Sequence, residues 1–224
     1  MTRILRTWRE AGGTLALRER GGTLDLVLGN VVLLSSAALE TERAFGRLAA
    51  ESLVASSGAA PPRVLVGGLG FGSTLRGVLD VLPENGLVIV VEKLQAVVDI
   101  ARGEAAHLVD GVLDDPRVEL VQDDVTDVIA RENGLAAVLL DVDNGPEWAS
   151  FRTNARLYAD AALARTRSAL RPRGLFAVWS GYAADPFVAR LRKAGFVARI
   201  VPLTERGVVR ARAYVGVAPD EPTS

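Results

Sequence analysis

The sequence predicts an α/β fold built on a mostly parallel, seven-stranded sheet whose last strand runs antiparallel, preceded by a short N-terminal β region. Three observations carry that reading. From Arg63 onward, strand-sized apolar runs alternate with segments of helical periodicity, the pattern of a parallel sheet covered on both faces. A glycine-rich stretch follows the first of those runs. The two closing apolar runs, 197–202 and 211–217, are joined by a segment too short for a crossover helix, so they must pair antiparallel.

Residues 14–20, 24–28 and 31–35 are apolar segments separated by Gly21-Gly22 and Gly29-Asn30, dipeptides that supply the positive φ angles of tight hairpins. Residues 38–55 then carry Leu39, Ala44, Phe45, Leu48 and Leu53 at helical spacing. A small-residue connector ending in proline, 56–62, separates this region (1–57) from the main domain (63–218). In that domain strands are expected at 64–66, 87–91, 118–121, 136–140 and 175–179. The helices between and after them are expected at 73–82, 94–108, 125–131, 152–170 and 186–194.

Composition excludes several chemistries. The chain has no cysteine, which removes disulfides, thiolate metal sites and cysteine nucleophiles, and a single histidine, His107, leaves too few ligands for an imidazole-based metal site. His107 itself reads as a surface or helix-capping residue. A net charge of −1 gives no phosphate-tracking surface, so no nucleic-acid partner is expected. The longest apolar runs are strand-sized and Met1 to Arg9 has no apolar stretch behind it, so neither a membrane partner nor a secretory leader is expected. A cytoplasmic location follows.

Ligands of an open parallel sheet sit beyond the carboxyl ends of its strands. After the first strand come Gly67, Gly68, Gly70 and Gly72, where backbone can approach a ligand and a helix start offers free N–H groups. The G-x-G-x-x-G pattern fails in every register and no G-K-[ST] follows; Gly68-Gly70-Gly72 gives G-x-G-x-G, a spacing suited to a nucleoside without a pyrophosphate. The second strand ends in Glu92, 20 residues past Gly72, where a carboxylate can accept both ribose hydroxyls. The third ends in Asp123-Asp124; one of these can accept from an adenine amino group, with a cap for the helix at 125 the competing reading. The fourth ends in Asp141-Val142-Asp143-Asn144-Gly145-Pro146, and Asp141 and Asp143 can bind an amine acceptor or take its proton. Tyr158, Trp148 and Trp179 can line an acceptor pocket or pack in the core.

The order of these motifs resembles the spermidine synthase-like aminopropyltransferases, a branch of the class I S-adenosylmethionine-dependent methyltransferase fold with its Rossmann-like sheet. The matching residues are Gly67-Gly68-x-Gly70-x-Gly72, Glu92, Asp115-Pro116-Arg117-Val118-Glu119 leading to Asp124, Leu139-Leu140-Asp141, Leu157-Tyr158 and Leu170-Arg171-Pro172-x-Gly174. Val66, where ordinary methyltransferases carry an acid, favours this branch. The resemblance implies that Glu92 holds the ribose, Asp124 the adenine amine and Asp141 the attacking amine. Three departures stand beside it. The aspartate of the family's G-G-G-D-G, which holds the amine of the aminopropyl donor, is read here as Gly70. The family's D-S-T-D-P is one residue longer here. Its Tyr-His-Glu stretch has no His or Tyr, only Glu40 and Glu42.

These features imply a sulfonium-dependent transferase acting on a small-molecule acceptor, with a homodimer left open. Loss of the donor-binding aspartate removes a neighbour that would repel a donor carboxylate. The sequence reading therefore favours S-adenosyl-L-methionine and methyl transfer to an amine or similar nucleophile. Aminopropyl transfer from decarboxylated S-adenosylmethionine to a polyamine is the alternative, and a nucleoside-binding protein without catalysis is the third reading.

Overall fold

The computed structural model describes residues 2–53, 60–142 and 154–220. Two sheets are present among them: an antiparallel sheet of four strands and a sheet of seven. The small sheet is a meander of β1 (Thr2–Glu10), β2 (Gly13–Arg20), β3 (Thr23–Leu28) and β4 (Val31–Ser35). Two of its three hairpins turn on positive-φ pairs, Ala11-Gly12 and Gly21-Gly22, and in the third only Gly29 of the Gly29-Asn30 pair is at positive φ. Leu15, Leu17, Leu24 and Leu26 point from its inner face into the same core as the large sheet.

The chain then forms α1 (Leu39–Gly46) and α2 (Ala50–Leu53), joined by a 3₁₀ turn, where the sequence predicts one continuous helix over 38–55. α1 docks on α3 (Ser73–Leu79), the helix after the glycine loop, at very close range. A Cβ on Gly46 would lie 2.1 Å from the Thr74 carbonyl oxygen, and one on Gly77 would lie 2.1 Å from that of Arg43. Ser73 Oγ donates to the Leu39 carbonyl at 2.5 Å, and Asp80 beyond α3 accepts from Arg43 at 2.8 Å and Arg47 at 2.8 Å. Two glycines, a hydroxyl and an ion-pair cluster thus fix α1 over the mouth of the large sheet.

In the large sheet β5 (Arg63–Gly67), β6 (Leu87–Val91), β7 (Val118–Val121), β8 (Leu135–Leu140) and β9 (Leu170–Ser180) are parallel, and β11 (Val208–Val217) runs antiparallel between β9 and β10 (Val197–Glu205). The spatial order is β10-β11-β9-β8-β5-β6-β7. α3, α4 (Gln95–Arg102), α5 (Val125–Arg131), α6 (Asp160–Ala169) and α7 (Pro186–Lys193) cover the two faces. Strand alternation sorts the side chains between them. Val64, Val66, Ala137 and Leu139 pack towards Phe45, Leu75 and Ile100, whereas Leu65, Val138 and Leu140 pack towards Ile129, Leu163 and Phe187. β8 is buried at all six positions, as a central strand should be.

The helices are shorter than their apolar periodicity suggests. The segment expected at 94–108 breaks at Gly103 into α4 and a 3₁₀ turn over Ala106–Leu108. The helix expected at 73–82 stops at Leu79, and that expected at 152–170 contributes a 3₁₀ segment, Asn154–Tyr158, before α6. β9 begins five residues early, at Leu170, because Leu170 pairs with Leu135 ahead of an irregularity in the register. No helix among the described residues is long and apolar enough to cross a membrane.

Candidate active site

Strand order reverses between β5 and β8, which opens a crevice beyond their carboxyl ends. The glycine loop and the Asp141 turn meet there. Asp141 N–H donates to the Gly67 carbonyl at 2.8 Å, extending the β5–β8 ladder by one residue. Gly68, at φ +90°, has no room for a side chain, since a Cβ would lie 2.2 Å from the Asp141 carbonyl oxygen. Gly72, at φ +94°, begins α3, and a Cβ there would press on Val112 at 2.9 Å. Gly67 is confined by Val125 and Leu140, whereas Gly70 opens onto free space, with Leu34 4.0 Å from its would-be Cβ. Protein packing therefore explains three of the four glycines, and Gly70 is the one with room beside it.

Glu92 follows β6 and is buried. Burial raises its pKa, and three backbone N–H groups offset part of that cost: Leu69 at 3.1 Å, Lys93 at 2.7 Å and Leu94 at 2.8 Å. An ionised carboxylate offers about four acceptor positions, so one remains for a ribose hydroxyl unless a backbone bond is exchanged. The sequence reading of a carboxylate dedicated to the ribose is thus incomplete: Glu92 also braces the glycine loop.

Asp124 caps α5, accepting from Thr126 N–H at 3.0 Å, and is ion-paired to Lys93 at 3.3 Å and to Arg156. Burial disfavours its charge, yet these donors hold it below the usual carboxylate range. Asp123 pairs with Arg131 on α5 at 2.8 Å and accepts from Asp124 N–H. The structure supplies the capping role for Asp124 and a surface ion pair for Asp123. Asp115 and Arg117 form a bidentate pair, at 3.0 and 2.8 Å, at the entrance to β7. Tyr158 is buried to 1% exposure in the second core, its ring edge-on to Phe187 at 5.6 Å. That position fits the second of its two readings, packing in the core. Asp143 and Trp148 lie outside the described residues, and His107 is exposed.

Asp141 stands at the end of β8, beside the glycine loop. Its Oδ2 accepts from Thr74 Oγ1 at 2.5 Å, and burial pushes its pKa up to about 6. Thr74 Oγ1 also lies 3.3 Å from the carbonyl oxygen of Glu42 on α1. The Glu42 carboxyl is raised well above its usual range, first by burial and then by the charge of Asp141. On β9 Val178 pairs with Leu140, which sets Trp179 beside Asp141 on the face towards α1 and α3. The Trp179 indole N–H is buried without a hydrogen-bond partner among the described residues. Glu42 and Trp179 were visible in the sequence only as an acid in an incomplete motif and an aromatic at a strand end. The approach of Glu42 to Thr74 depends on the α1–α3 contact, for which the sequence carries no periodic signal.

Counting the family's five-residue motif from Gly68 to Gly72 corrects one assignment: the aspartate's position falls on Phe71, not on Gly70. Phe71 is 2% exposed and cannot supply a counter-charge.

From β5, the sheet reads third, second, first, fourth, fifth, seventh, sixth strand across its width. With a glycine loop and an acid at the first two strand ends, this is the class I S-adenosylmethionine-dependent fold in its spermidine synthase-like form. Solved structures agree. The chain is similar to spermidine synthase from Thermotoga maritima (TM-score 0.74, 17% identity, 99% of this chain and 75% of that one). It is likewise similar to a spermidine synthase in complex with the transition state analogue AdoDATO (TM-score 0.73, 17% identity, 99% and 74%). Among curated proteins, a polyamine aminopropyltransferase of Synechococcus sp. (strain JA-2-3B'a(2-13)) is 31% identical over 133 residues, 57% of this chain and 40% of the relative. A polyamine aminopropyltransferase of Aeropyrum pernix is 32% identical over 120 residues, 52% of this chain and 36% of the relative. The chain thus spans about two fifths of the length of the curated relatives it matches. No family model matches the chain.

Proposed function

We propose that the chain transfers an aminopropyl group from decarboxylated S-adenosylmethionine to a small amine. The observation that carries this reading is Asp141, a carboxyl at the end of the central strand, fixed by Thr74 at 2.5 Å and poised at a pKa of about 6. A sulfonium donor supplies an electrophilic carbon next to sulfur. Asp141 orients the neutral acceptor amine and takes its proton. The amine lone pair forms the C–N bond as the C–S bond breaks, the released pair stays on sulfur, and the surplus proton on nitrogen passes to Asp141. Gly70, at the open edge of the loop, and Glu92 are positioned to hold the nucleoside.

The names of the curated relatives support aminopropyl over methyl transfer, which reverses the preference drawn from the sequence. That preference assumed a crevice emptied of negative charge by the lost aspartate. Asp141 borders it, beside the glycine loop, and a donor carboxylate would meet that acid. The test is product analysis with each donor and a panel of diamines, polyamines and monoamines. Methylthioadenosine from the decarboxylated donor is the expected product. S-Adenosylhomocysteine from S-adenosylmethionine, with no methylthioadenosine, would overturn the reading.

A further inference from the structure

The net charge of −1 hides a strong segregation along the chain. Residues 80–147 contain 16 acids and four cations, whereas residues 152–212 contain 13 cations and three acids. The fold turns that order into a direction in space, because β6 and β7 form one edge of the large sheet and β11 and β10 the other. The separation is clearest on the face covered by α5, α6 and α7, whose apolar sides share one core with Leu65, Val138 and Tyr214. α5 packs on α6, and α7 packs on β10 and β11, so the helices follow one another in that order from the β7 edge. At the far end, α6 and α7 carry five cations and one acid. All six are exposed, and only Lys193 has an acid within ion-pair distance, Asp160 at 2.7 Å. From Val118 to Arg131, β7 and α5 carry four acids and one cation. Asp123 and Asp124 are ion-paired, whereas Glu119 and Asp127 are exposed with no ion pair among the described residues. Strand alternation puts Glu119 on the same side of β7 as Val121, which packs against this core.

We infer that this face is the contact surface of a two-fold dimer of the chain, in which the α6–α7 end of each copy lies on the β7–α5 end of the other. A two-fold axis in the contact plane, parallel to the strands, turns the second copy end for end. Basic end then meets acidic end twice, and the assembly closes at two copies. Charge identifies the occupant. A polyanion long enough to cover the basic end would run onto the acidic one, whereas a second copy offers the opposite sign at both. The outward sides of the three helices expose Ala130, Ala161, Ala164 and Ala189 and no large apolar residue. Small side chains let the helices approach, and charge rather than apolar burial supplies the attraction. Seven strands about 4.8 Å apart and helices about 10–15 Å long give a face on the order of 450 Å² per copy. That is smaller than a standard interface, so the dimer is weak and sensitive to salt.

Sedimentation velocity on the full chain at about 0.05 M and about 0.5 M salt tests it, beside two double variants. Arg165→Glu with Arg192→Glu reverses the basic end, and Glu119→Lys with Asp127→Lys reverses the acidic end. All four side chains are exposed, so circular dichroism of both variants should match the parent's. The parent should dimerise at low salt and lose at least about tenfold in affinity at high salt. Each double variant alone brings like charges together twice and should weaken the dimer at least about tenfold. An equimolar mixture of the two should recover the parent's affinity, because each end again meets its opposite. A merely structural role for these side chains would give no such recovery. A parent that stays monomeric at low salt overturns the inference, and so does a mixture of folded variants that remains monomeric. Parent species larger than a dimer also overturn it, since they require open head-to-tail contacts. Salt-dependent binding of a short DNA duplex by a monomeric parent would overturn it in favour of a polyanionic partner at the basic end.

Discussion

Asp141 and Glu92 both end apolar strands, yet the structure gives them different work. Asp141 has one described hydrogen-bond donor and a pKa of about 6, the profile of a group that exchanges a proton. Glu92 has three backbone donors and is held as a brace. Asp141→Asn should therefore lower turnover by about 10²–10⁴ while methylthioadenosine affinity barely moves. Only the ionised carboxylate can take the proton, so parent kcat should fall as pH drops through about 6, and the asparagine variant should lose that limb. An unchanged rate in the variant would make Asp141 structural. Glu92→Ala should weaken methylthioadenosine binding at least about tenfold and also lower stability, because buried N–H groups left without an acceptor cost about 1–3 kcal/mol each. A stability loss with affinity within a factor of two of the parent would leave Glu92 as a brace alone. The sequence reveals that both carboxylates end strands, since strand ends can be read from apolar runs. It does not reveal which backbone groups fold back onto them.

At the scale of elements, the segments with a buried face were legible and β1 was not. Its half-buried apolar residues, Leu5 and Trp8, are three apart and Ile4 points outward at 64% exposure, so it leaves no apolar alternation to find. Beyond its ladder with β2 and the packing of Leu5 and Trp8 on the core, polar groups tie β1 to α4. Trp8 Nε1 and Arg6 donate to Asp99 of α4 at 2.9 and 2.8 Å, and Glu10 accepts from the N–H groups of Gln95 and Ala96, both at 2.9 Å. Glu10 thus caps α4 from a distant strand and tethers the small sheet to the turn that carries Glu92. Glu10→Ala should lower unfolding free energy by about 1 kcal/mol, the usual scale of a lost N-cap. Denaturant unfolding with an unchanged slope checks this. A midpoint equal to the parent's would mean that water replaces the carboxylate without loss. The α1–α3 contact escaped the sequence for a related reason: Gly46 and Gly77 mark a close approach only once the two helices are known to cross.

Across the whole molecule, two groups of carboxyls pull stability in opposite directions with pH. Asp80 is held below its usual range by hydrogen bonds from Arg43, then from Arg47 and Arg76, so its stabilisation is present at neutral pH and is lost as pH falls through the carboxylate range. Asp141 and Glu42 are raised, Asp141 from 3.8 to about 6, mainly by burial. A raised acid binds its proton more tightly in the folded state. Its contribution is therefore fully present below the ordinary carboxylate value and is lost as pH rises through the folded one. The crevice is thus a local cost carried by a fold that is otherwise consistent, which is where departures from packing rules are expected to be functional. The difference in unfolding free energy between Asp141→Asn and the parent reads this term together with the part of the Glu42 shift that the Asp141 charge causes. It should be near zero below about pH 3 and should grow in favour of the variant up to pH 6–7, by at most about 3 kcal/mol for a shift of this size. A variant-minus-parent difference that stays flat from pH 4 to 7 would show that Asp141 is solvated like a surface carboxylate, and would remove the physical basis for its role as base.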